Sequence, residues 1–100
     1  MIKEKLTLNS RISQENGNIV SNMDGDKVMM NINKGKYYNL HTIGGEIWDL
    51  IEKPIYIQQI IDELLAKYNV ERLECTEQVL LFLEKLNDEG LIKILAGTRS

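Results

Sequence analysis

At Thr42 the apolar residues of this chain stop alternating and begin to recur at helical spacing. Before that point, "IVSNM" (19–23), "KVMMNIN" (27–33) and "KYYNL" (36–40) read as short strands, in which successive side chains point to opposite faces. After it, Ile43, Ile47, Trp48, Leu50 and Ile51 fall on one broad helical face, with Thr42 available as the cap. A chain that changes period once, near its middle, builds a sheet first and helices second.

The turns between the strands are equally legible. Asp24 and Gly25 form a two-residue hairpin signal, and Lys34 with Gly35 marks a second turn. The three strands therefore make an antiparallel meander, with Tyr38 and Leu40 on one face of the last strand and Tyr37 and Asn39 on the other. Upstream, "LTLNSRIS" offers a further strand ahead of the loop "QENGN". Gly44 and Gly45 each cost about 1 kcal/mol inside an exposed helix, so tight contact between helix and sheet is the expected compensation.

Pro54 separates the first helix from "YIQQIIDELLAKYNV", where Ile57, Ile60, Ile61, Leu64, Leu65 and Tyr68 form a second amphipathic helix ending at Asn69. A third is expected to start near Thr76 and to close at Gly90. On it, Val79, Phe82, Leu83 and Leu86 form a core stripe, while Leu80 and Leu81 lie on opposite flanks. "LIKIL", residues 91–95, is strand-like. The expectation is an α+β, winged-helix-like fold: a three-stranded meander, then a three-helix bundle. It occupies 19–95, between an N-terminal segment (1–18) and a short tail (96–100).

A winged helix raises the question of DNA, and charge answers it. The chain has a net charge of −3 and a pI near 5.1. From Thr76 to Gly90 its third helix offers Lys85 against Glu77, Glu84, Asp88 and Glu89, with no arginine in that span to grip guanine or phosphate. Catalysis is poorly supplied as well. His41 is the one histidine and Cys75 the one cysteine, which gives neither a disulfide nor a metal box. The glycine pair lacks the Lys and Ser/Thr of a phosphate loop. With no secretory pattern and no apolar run near the roughly 20 residues that span a bilayer, a cytoplasmic location is the default expectation.

What remains is binding through a sheet edge. "KYYNL" lies at the edge of the meander, where its backbone groups are free to pair with an extended peptide. The alternative is ordinary surface, guarded by Lys34 and Lys36.

The run "MDGDKVMMNINKGKYYNLHTIGGEIWDLI", followed by "IIDELLAKYNV" and "VLLFLEKLNDEGLI", resembles the PqqD family of peptide-recognition proteins, especially its stand-alone members from lasso-peptide biosynthesis. The resemblance implies that the leader of a ribosomally made precursor docks antiparallel to the third strand, in a groove beside the third helix. It makes Lys36, Tyr37, Tyr38, Asn39 and Leu40 the pairing strand, and Val79, Leu80 and Leu83 the helical wall. Two positions depart from the family pattern: His41 stands where asparagine is usual, and Gln78 where an aspartate commonly precedes the valine. The implied role is non-catalytic and without a cofactor. Its partners would be the precursor leader, a separate cysteine protease of the transglutaminase-like leader-peptidase type, and an ATP-dependent macrolactam cyclase, with no nucleic acid and no membrane. A PqqD-like chaperone for a radical SAM enzyme and a winged-helix DNA-binding protein are the alternatives.

Overall fold

The computed structural model describes residues 5–95; the expected tail, 96–100, lies outside them, as do residues 1–4. In chain order the elements are β1 (Arg11–Gln14), β2 (Asn18–Met23), β3 (Asp26–Asn31), β4 (Lys36–Leu40), α1 (His41–Leu50), β5 (Ile55–Tyr56), α2 (Ile57–Lys67), α3 (Arg72–Asp88) and β6 (Ile92–Ile94). They form two small antiparallel sheets, ordered β2-β3-β4 and β5-β1-β6.

The meander has the expected register. Met23 pairs with Asp26, so Asp24 and Gly25 alone make the first turn, both at positive φ (54° and 87°), as the mirror-image hairpin turn requires. The second turn hangs on Asn31. Its side chain is buried, accepts the Lys34 N–H at 2.8 Å and donates to Asn18 Oδ1 at 2.7 Å, which fixes where β4 begins.

One face of this sheet takes the helices. Met29 and Leu40 point inward to meet Ile47 and Trp48 of α1, and the core continues through Ile57, Ile60, Ile61 and Leu64 of α2 to Val79, Leu83 and Leu86 of α3. Each such side chain contributes about 1.5–3 kcal/mol by leaving water. The glycine pair permits the close packing that its cost implies: a Cβ on Gly45 would stand 2.8 Å from Lys27 Cβ of β3, and one on Gly44 would stand 3.0 Å from the Phe82 ring of α3. Lys27 Nζ then reaches Asp49 at 2.9 Å, clamping α1 across β3.

The helix starts differ from the sequence expectation. α1 starts at His41, with Leu40 as its cap residue, so Thr42 lies within the helix. His41 enters with φ 60°, the left-handed region in which Asn, Asp and His are enriched. The Asn39 side chain supports this step by accepting the His41 N–H at 2.8 Å. α3 starts a turn before Thr76, because Glu71 is extended and its carbonyl accepts the Cys75 N–H at 2.9 Å. α2 stops at Lys67, two residues short of Asn69. There the Tyr68 hydroxyl and the Lys67 ammonium both bond the Glu46 carboxylate, joining the end of α2 to α1.

The second sheet exceeds what the sequence indicated. β1 falls in "LTLNSRIS" and "LIKIL" supplies β6, but the two-residue β5 after Pro54 carried no pattern of its own. β1 is the middle strand, with Ile12 fully buried between Ile55 and Ile94.

Candidate functional site

β4 has β3 on one side and no strand on the other among the described residues. Its free edge borders a groove of about 550 Å³ between the sheet and α3, closed at the back by α1 and the end of α2. The groove is mostly apolar. Leu40, Ile47, Leu64, Val79 and Leu86 make its floor, all nearly inaccessible to solvent, and the more open Ile43, Phe82 and Val70 rise around it.

The α3 wall follows helix geometry. Cys75, Gln78, Val79, Phe82, Lys85 and Leu86 recur at three- and four-residue steps and share one face. Phe82 is the central element. Its ring lies against Gly44, and because that residue has no side chain the ring can settle there and leave the groove open.

One end of the groove is polar. The Tyr38 hydroxyl donates to Glu89 Oε1 at 2.9 Å, and Lys34 and Lys36 each approach the same carboxylate at 3.5 Å. The hydrogen bond from Tyr38, followed by the nearby Lys36 charge, holds the Glu89 carboxyl below the usual range. Burial, with Glu89 adding, pushes the Tyr38 phenol up. At the other end Cys75 is buried and its thiol is likewise raised by burial, so it behaves as a small neutral side chain.

The residues named from the sequence divide in two. Tyr38, Asn39, Leu40 and Val79 line the groove, and Lys36 and Tyr37 sit on the same edge strand, Tyr37 on its outward face and 73% exposed. Leu83 and Leu80 do not line the groove. Leu83 is fully buried in the core, and Leu80, a third of a helical turn beyond Val79, packs against the core away from the groove. Phe82, which the helical wheel had placed with the core, lines the groove instead. Ile43 was likewise assigned inward and is 44% exposed at the groove. For Phe82 the one hint was Gly44, whose missing side chain leaves room for a ring, though not which ring; Ile43 carried none.

His41 and Gln78, the two departures, both stand at the groove. His41 Nδ1 lies 3.6 Å from Asp26 Oδ2 and its ring is exposed. Among the described residues no group of His, Cys, Asp and Glu could hold a metal ion, and no helix is long and apolar enough to cross a membrane. Unpaired backbone groups beside an apolar trough are the arrangement into which an extended chain adds as a strand.

Comparison with known proteins follows the same line. The sequence profile of the family described as "Coenzyme PQQ synthesis protein D (PqqD)" matches residues 26–92. Among solved structures, "TbiB1 in Complex with the TbiA(beta) Leader Peptide" superposes with a TM-score of 0.75 at 25% identity, covering 85% of this chain and 99% of that one. A second, "Lasso peptide synthetase B1 complexed with the leader peptide", gives 0.72 at 17% identity over 82% of this chain and 96% of that one, a likeness of fold. A search of curated proteins gives no match.

Proposed function

This chain belongs to the PqqD family, and from that premise we propose that it binds the leader of a ribosomally synthesised precursor peptide, of the lasso type, without itself catalysing a reaction. The leader adds antiparallel to β4 as a further strand, its main-chain groups bonding the free edge and alternate side chains entering the groove. The observation that carries this is the open β4 edge beside an apolar trough walled by Val79 and Phe82.

A leader is disordered when free, so its ordering must be offset by buried apolar anchors. The groove supplies these, and the Lys34, Lys36 and Glu89 cluster borders one end. Holding the leader raises the effective concentration of the attached core peptide at a partner enzyme, by about 10²- to 10⁴-fold where geometry allows. The enzyme served is a separate leader-cleaving cysteine protease, followed by an ATP-dependent macrolactam cyclase, in the cytoplasm.

An amide-NMR titration with the leader half of a precursor encoded beside the gene tests this, with duplex DNA as a parallel sample. Shifts concentrated in residues 36–40 and on the groove face of α3, with none from DNA, are expected. Silence toward the leader with salt-sensitive shifts from DNA would overturn the reading.

A further inference from the structure

The three-stranded sheet has a second open edge among the described residues, β2, and the two edges are guarded differently. β4 begins with Lys36, and Lys34 precedes it. β2 reads NIVSNM, six residues without a charge, a proline or a glycine. Its register with β3 runs unbroken from Asn18 opposite Asn31 to Met23 opposite Asp26, so no bulge twists it away. Charge, proline, bulges and shortness are the usual devices that keep an edge from pairing, and β2 has none of them. On its outward face Ile19 and Met23 are 52% and 58% exposed, with Ser21 midway between them.

That spacing is self-complementary. We infer that β2 pairs with the β2 of a second copy of this chain, antiparallel, about a two-fold axis at Ser21. In this register Ile19 stands opposite Met23 of the partner subunit, and the symmetry makes the same contact twice. Centring the pair on Val20 or Asn22 sets Ile19 or Met23 against serine, so the Ser21 register alone pairs both apolar residues across the seam. The product is a continuous six-stranded sheet with a β4 edge at each end. Five strand spacings separate those edges, roughly 24 Å, and both remain open. This inference is independent of what binds β4.

A six-residue seam is small beside stable interfaces of roughly 1,200–2,000 Å², so the association belongs in the weak, reversible class. Sedimentation equilibrium of the full chain from about 10 µM to about 1 mM covers that class. The apparent mass should approach twice that of the monomer at the upper end. The double variant Ile19→Lys, Met23→Lys should remain monomeric throughout while keeping the wild-type circular dichroism. Ser21→Cys tests the register: on the axis its Cα lies about 4.5–5.5 Å from its copy, within disulfide range, so mild oxidation should give a covalent dimer. Met23→Cys, two residues off the axis and therefore four strand positions from its own copy, should not crosslink. A wild-type chain monomeric at every concentration, a dimer that survives the double variant, or equal crosslinking at positions 21 and 23 would each overturn the inference.

Discussion

Tyr38 and Glu89 meet across the mouth of the groove, hydroxyl to carboxylate at 2.9 Å, and so tie β4 to the end of α3. The bond holds Glu89 ionised to lower pH than an ordinary glutamate. A carboxyl whose folded value is depressed stabilises the fold above its unfolded value and loses that contribution as pH falls through the folded one.

Glu89→Gln should therefore be less stable than the wild type at neutral pH, and the gap should close as pH drops below the ordinary glutamate range, about 4. Thermal unfolding of both proteins across pH reads this directly. A gap that is constant with pH would show that Glu89 acts by packing rather than by charge.

Gly45→Ala should destabilise the domain by about 1–3 kcal/mol in urea unfolding, because its new methyl meets Lys27 Cβ at 2.8 Å and the α1–β3 contact has to open. The gain in helix propensity, about 1 kcal/mol, is the smaller effect. Gly44→Ala presses on the Phe82 ring instead, so its larger effect should appear in leader affinity.

Phe82→Ala should weaken leader binding about tenfold or more, equivalent to roughly 1.4 kcal/mol. Leu80→Asp, on the side of α3 away from the groove, should lower stability and leave the affinity of the folded fraction unchanged. Calorimetric titration of the two variants distinguishes the walls, and a reversed ranking would return Leu80 to the site.

His41→Asn should raise stability by up to about 1 kcal/mol, since asparagine tolerates the left-handed backbone at φ 60° better than histidine. Melting temperatures of the two proteins in the same buffer check this, the 3.6 Å approach of Nδ1 to Asp26 being the contact that the change removes. An unchanged or lower midpoint would mean that the imidazole makes a contact worth keeping.

The same position shows how much the sequence disclosed. Against the family pattern His41 was only a substitution for asparagine; the backbone supplies the reason for that pattern, a left-handed step between β4 and α1. The strands, the Asp24-Gly25 turn and the three helices were legible because period and turn chemistry are local. The groove was legible from β4 but only partly from α3. A helical wheel separates apolar from polar, and Phe82 and Leu83 are both apolar. Which of them faces a trough and which the core depends on where Gly44 brings α1 close, a tertiary fact. Helix starts failed for a related reason. Thr42 and Thr76 are good cap residues, yet α1 is launched by the αL step at His41 and α3 by an extended Glu71, neither of which has a composition signal.

β1 carries a consequence for how the domain comes into being. Ile12 pairs with Ile94, so the middle strand of the second sheet cannot find one of its neighbours until β6 has been synthesised. The meander and α1, which rest on contacts between near neighbours in sequence, can assemble while the chain is still emerging; the β1–β6 closure must come last, against the loop entropy of nearly the whole chain. A nascent domain on the ribosome should thus expose a formed β4 edge before its ends are fastened.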